Sequence, residues 1–146
     1  MDFFVVSTII LGVWAAVGPL VGVRYGDELS QRATRRQWLA DERTKEWREL
    51  LGTLTSSMTT IIQCRQGERT TEMRKEDLRA SVAAGEVLSN RLFIAKEVRR
   101  RQLQDRWREA VESFEKDGDP GAFGTKFGGD IRFQIEEGAR EDIGKV

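Results

Sequence analysis

The sequence contains no histidine. That removes the commonest general base, the usual side-chain switch near neutral pH and the commonest metal ligand together. One cysteine, Cys64, excludes an internal disulfide, and a lone thiol suits a reducing compartment. No His/Cys metal set can be assembled from such a composition, and the Glu-x-x-His pairs of di-iron bundles are excluded. Net charge is also missing: 24 basic residues cancel 24 acidic ones, so no global field draws in nucleic acid or an acidic partner. The expectation is a chain with no cofactor, no metal and no nucleic-acid partner.

Charge is absent locally as well, from Phe3 to Val23 (FFVVSTIILGVWAAVGPLVGV). At about 1.5 Å per residue these roughly 21 residues span about 31 Å as a helix, close to the hydrocarbon thickness of a bilayer. In a helix the hydroxyls of Ser7 and Thr8 can bond back to a carbonyl one turn earlier, which would let them sit in lipid. Pro19 after Gly18 predicts a kink near the far end. A signal peptide normally begins with positive side chains, whereas the only charge before this run is Asp2, and no A-x-A site ends it. A core helix apolar on every face would need a larger protein around it. Residues 3–23 therefore read as a transmembrane helix, with membrane lipids as its surroundings.

Orientation follows from the flanks. No Lys or Arg precedes the stretch, whereas Arg24, Arg32, Arg35 and Arg36 follow it. Cytoplasmic flanks carry the excess of Lys and Arg. The expected placement is the cell (inner) membrane, single-pass, with the N-terminus outside and the C-terminal domain cytoplasmic. Those four arginines are also the best candidates for contact with anionic lipid. Gly12 with Ala16, and Gly18 with Gly22, have the small-xxx-small spacing of candidate helix packing in a membrane.

After Val23 the patterning is helical, and the expected fold class is all-α: a single N-terminal transmembrane helix, then a long stalk helix continuing into a small antiparallel helical bundle. From Asp27 to Gln66 there is no proline, and Gly52 is the only glycine. Apolar residues are sparse up to Glu46, as in a solvated stalk. From Trp47 a seam runs through Leu51, Leu54, Met58, Ile61 and Arg65, widened by Leu50 and Ile62. Thr53, Thr55, Ser56, Ser57, Thr59 and Thr60 lie between these positions. They read either as a binding or phosphorylation surface or, preferably, as a small-residue face for close packing.

Gly67 marks the first break, and Thr70 or Thr71 can cap a second helix to about Arg91, with Leu78, Val82, Val87, Leu88 and Leu92 as its buried set. Leu92-Phe93-Ile94 is apolar on consecutive positions, which one helix face cannot bury. That favours a short break, then a third helix from about Ala95 to Lys116 carrying Val98, Leu103, Trp107, Ala110, Val111 and Phe114. The helical hairpin elements thus occupy 71–116. Asp117 to Gly129 is expected to be a Gly-rich loop. Over 130–143, Ile131, Phe133 and Ile135 alternate as in a strand, while Ile131, Ile135, Ala139 and Ile143 step by four. A lone strand would have no partner, so a short C-terminal helix is preferred.

Trp38-Leu39, the segment Asn90 to Ile94 followed by a Trp107 helix, and the ending Ala139 to Gly144 together resemble a group of uncharacterised bacterial small membrane-anchored helical proteins. The resemblance implies the anchored-bundle architecture and a helical tail, and it brings no activity or functional residues.

Chemistry is otherwise unsignalled. Gly118 to Gly129 lacks the G-K-[ST] and flanking strand of a phosphate loop. Arg99, Arg100, Arg101, Arg106 and Arg108 form the densest basic cluster, but consecutive helical residues diverge by about 100°. Acidic neighbours, including Glu97, Asp105, Glu109 and Glu112, lie at pairing distance in sequence. No catalytic set appears, so the chain is expected not to be an enzyme. The leading expectation is a membrane-anchored interaction or scaffold protein acting through a protein partner or as a homo-oligomer. The alternative is a small membrane-active oligomer, a pore or holin-like effector, which dye release from liposomes would reveal. The charge rule itself is testable. Changing Arg24, Arg32, Arg35 and Arg36 to Glu and placing Lys after Met1 is expected to invert the topology, read by an accessibility label on Cys64; an unchanged side refutes it.

Overall fold

The computed structural model describes the backbone of residues 3–67 and 70–144, with side chains from residue 30 onward in those ranges, Ile143 excepted. Six α-helices account for nearly all of it: α1 (Phe3–Gln66), α2 (Thr71–Ser89), α3 (Ala95–Arg100), α4 (Leu103–Asp117), α5 (Pro120–Lys126) and α6 (Phe133–Ile143), with a π-helical segment, Phe127–Arg132, between the last two. Among the described residues there is no strand, so the all-α expectation holds. Among them, too, no helix is long and apolar enough to cross a membrane. The stretch 3–23 expected to do so lies outside the residues whose side chains are described, as do Gly12, Ala16, Gly18, Gly22 and Arg24.

The chain divides into two units, Met1–Trp38 and Leu39–Val146. In the first, the described side chains from Ser30 to Trp38 are all exposed. In the second, a helical bundle with one continuous core, Trp47 is the first buried residue. The buried stripe of α1 is Trp47, Leu50, Leu54, Ser57, Ile61 and Cys64, alternating steps of three and four. Leu51 and Met58, placed on the seam by sequence, flank it half-buried, and Leu50, Ser57 and Cys64 take the central positions. Cys64 is therefore no handle for an accessibility label in the native fold, because burial also pushes its thiol pKa up. An exposed site such as Ser89 is the place for an introduced cysteine.

Thr70 caps α2, its hydroxyl accepting from the Met73 N–H at 3.2 Å. The core face of α2 is Ala80, Ala84, Val87 and Leu88. Leu78 and Val82, expected inside, are 65% and 51% exposed, because they lie on the opposite side of the helix from the alanines. The apolar triple after α2 is split, with Ile94 fully buried and Leu92 turned out to solvent. Glu46 of α1 fixes this turn: its carboxylate accepts from the backbone N–H groups of Leu92, Phe93 and Ile94 at 2.9–3.0 Å. The single third helix expected to Lys116 is two. Val98 and Leu103 are five residues apart, which an unbroken helix would place about 140° apart, yet both are buried. Gln102, left-handed at φ 52°, resets the phase between α3 and α4.

The expected Gly-rich loop at 117–129 is helical from Pro120. Gly118, at φ 65°, closes α4, and Asp119 caps α5 by accepting from the Gly121 N–H at 2.8 Å, with Pro120 in the first turn. Burial of Phe123, Phe127, Ile131 and Ile135 offsets the entropy cost of the glycines. Steps of four drift about 40° each around an α-helix, and the wider π segment takes back part of that drift. The tail is helical, as preferred over a strand. Phe123 stacks on Phe114 at 4.9 Å between centroids, and Trp107 meets Phe123 and Phe127 at 6.1 Å each.

α6 meets α1 at Gly138, where an added Cβ would lie 2.7 Å from Cη2 of Trp47 and 2.9 Å from Nε of Arg101. Gly138→Ala is expected to cost about 1–3 kcal/mol, the range for overpacking a core. Gly124→Ala, whose Cβ would meet nothing, is expected to stabilise by up to about 1 kcal/mol. Thermal melts followed by circular dichroism check both; equal melting temperatures would contradict the close contact.

Candidate interaction face

Most charges in the bundle are spent inside it. Arg101, only 9% exposed, is bracketed by Gln134 (3.0 Å), Glu137 (3.2 Å), Glu141 (3.0 Å) and, more loosely, Glu97 (4.0 Å). Arg100 bridges Glu97 and Glu141 at 2.7 Å each. Arg100, followed by Arg101, holds the Glu141 carboxyl below the usual carboxylate range. Arg106 pairs with Asp130 and Arg108 with Asp105. Four of the five arginines of the cluster are thus committed to acidic partners, and Arg99 donates to the Ala95 carbonyl. At the other end of the bundle, Arg65 binds Asp77 and Glu115 at 3.1 Å and lies over the Phe114 ring.

Along α2 the pattern reverses. Its outward ridge carries Leu78 and Val82 one turn apart, two of the few large exposed apolar side chains among the described residues. Beside this ridge an open groove of about 630 Å³ separates α2 from α1. Gly52, Thr53, Ser56, Ser57 and Thr60 form its α1 wall, and Glu76, Arg79, Ala80 and Ala83 its α2 wall. Small side chains on both helices leave the space open. On the other side of α2, Ser81, Gly85 and Leu88 face Trp107 and Val111 of α4 across a second groove of about 360 Å³.

The groove has a mixed lining, and its polar groups are unspent. Thr34, Thr44, Thr55, Thr59 and Thr125 each donate to the carbonyl four residues earlier. By contrast, Thr53, Ser56, Ser57 and Thr60 make no side-chain hydrogen bond among the described residues, although Ser57 is only 3% exposed. Neither Glu76 nor Arg79 makes a hydrogen bond or an ion pair there. The sequence pointed to the hydroxyl cluster of α1, but not to Glu76 and Arg79 opposite it, nor to the exposure of Leu78 and Val82.

The remaining sequence-derived residues are not brought together at this face. Arg32, Arg35 and Arg36 are exposed on α1 in the first unit. Trp47, Leu54, Ile61 and Trp107 are core. Trp47 donates its indole N–H to Asp142 at 3.4 Å, and Arg43 donates to the same carboxylate at 3.0 Å. Among the described residues no group of three or more His, Cys, Asp or Glu is placed to hold a metal ion. No family model, curated protein or solved structure matches the chain.

The Ser57 hydroxyl lines the open groove and makes no hydrogen bond among the described residues, so its removal breaks no internal bond, and alanine is the better helix former. Ser57→Ala is therefore expected to leave stability unchanged or raise it by about 0.5 kcal/mol, whereas Leu54→Ala on the same stripe is expected to cost about 2–5 kcal/mol. Denaturant titration of both variants checks this; a loss above about 1 kcal/mol for Ser57→Ala would mean that its hydroxyl is bonded.

Proposed function

We propose that this chain is a single-pass membrane-anchored interaction or scaffold protein whose helical bundle acts through protein contacts. One observation carries the reading: Phe3 to Val23 is uncharged, has the length of a bilayer span, and is followed on one side only by Arg24, Arg32, Arg35 and Arg36. In this reading the bundle lies on the cytoplasmic side of the cell membrane, and the span holds it there. The bundle surface supports the second half of the reading. Its arginines are mostly matched internally, while the α2 face offers exposed Leu78 and Val82 beside a groove whose hydroxyls and charges are unspent. Exposed apolar residues rimmed by polar ones mark contact surfaces. Among the described residues no assembled set of base, nucleophile and oriented partner calls for a catalytic reading instead.

The anchor is tested by alkaline carbonate extraction and ultracentrifugation of expressing cells. The full chain is expected in the pellet, and a chain in which Ile9, Leu11 and Val13 are changed to Lys is expected in the supernatant. Wild-type chain in the supernatant would overturn the anchor.

A further inference from the structure

The groove between α1 and α2 is lined by one residue that is itself almost wholly buried. Ser57 is 3% exposed, yet its hydroxyl has no hydrogen-bond partner among the described residues. A hydroxyl inside a helix ordinarily donates to the carbonyl one turn earlier, as those of Thr55 and Thr59, two residues to either side, do. The charges across the groove are open as well. Glu72 with Lys75, Glu97 with Arg100 and Asp105 with Arg108 each set an acid three residues before a base, and each closes as an ion pair. Glu76 and Arg79 have the same order and spacing, and neither forms an ion pair among the described residues. One wall thus presents a carboxylate and a guanidinium about one helical turn apart. The other presents the free hydroxyls of Thr53, Ser56, Ser57 and Thr60.

These groups select a ligand by charge. A phosphate would meet Glu76, and a simple cation would meet Arg79. An apolar body would take water from Ser57 and return no hydrogen bond. A molecule with one charge of each sign close together satisfies both side chains at once. We infer that the groove binds a free α-amino acid as its zwitterion, with the carboxylate on Arg79 and Ser57 and the ammonium on Glu76. The helices run antiparallel, held by Arg65 and Asp77 at one end and by Glu49 and Arg91 at the other, so Ala83 and Gly52 continue the groove beyond the charged pair. That stretch carries no charge and takes an uncharged ligand side chain. The groove volume of about 630 Å³ falls within the range of about 300–1,000 Å³ that small-molecule sites occupy. This site goes beyond the protein-contact reading and does not rest on the anchor.

Calorimetric titration tests the site. Full-length chain in detergent micelles is titrated with each common L-amino acid in turn, and with N-acetyl amino acid amides, which carry neither charge, and inorganic phosphate as controls. One or more neutral amino acids are expected to bind saturably at one site per chain, with lysine and glutamate weaker and both controls silent. Glu76→Gln and Arg79→Gln are each expected to weaken binding on the order of tenfold or more, and Ser57→Ala several-fold. None of the three changes breaks an internal bond among the described residues, and circular dichroism confirms that each variant is folded. Blocked amides that bind as well as the free amino acids, phosphate that binds more tightly, or binding unmoved by all three variants overturns the site. A wild-type chain that pellets with membranes after carbonate extraction but binds no amino acid also overturns it, and leaves the anchored reading standing.

Discussion

The bundle depends on a close approach between the two ends of its sequence. α6 comes so near to α1 that Gly138 has no room for a side chain against Trp47 and Arg101. That contact shuts the Trp47 ring away from water, and Asp142, one turn further on, takes the indole N–H and the Arg43 guanidinium. It also obliges Arg101 to be buried. A buried guanidinium is tolerable only when matched, and Glu97, Glu137, Glu141 and Gln134 match it from α3 and α6. The packing of the C-terminal helix and the disposition of the acidic residues are two sides of one steric fact.

Within that frame α2 is the least committed helix. Its core face is built from alanines and two larger residues, so it buries modest area, and its capping and its Asp77–Arg65 bond hold it in place. Elsewhere in the bundle most of the larger apolar residues point inward and most arginines are paired. On α2, Leu78 and Val82 point outward, and Glu76 and Arg79 lining its groove are unpaired among the described residues. The division between a finished interior and an unfinished face gives the interaction reading its physical content.

The helical architecture was legible because its signals are local. The three-four alternation after Trp47, the Gly67 break and the Thr70 cap require only neighbours to interpret. The helix over Pro120–Lys126 was legible in principle: Phe123 and Phe127 continue the same step of four as Ile131 and Ile135, but five glycines from Gly118 to Gly129 read more loudly as loop. Side-chain size alone places Leu78 and Val82 inward, whereas the alanine stripe decides which way α2 faces. Nothing local announces Glu46, which serves a turn more than forty residues along, or the pairing of Arg101 with Gln134 and Glu137, more than thirty residues away. The groove is legible only once α1 and α2 are set side by side.

The pairing of Arg43 and Trp47 with Asp142 also has a bearing on synthesis. Those two residues leave the ribosome long before Gly138 and Asp142 do, and at about 5–20 residues per second the interval is on the order of 5–20 s. Throughout it the indole has no ring-tight cover and the carboxylate that orients it has not yet been made. The nascent chain therefore carries an unshielded tryptophan until almost its last helical turn emerges.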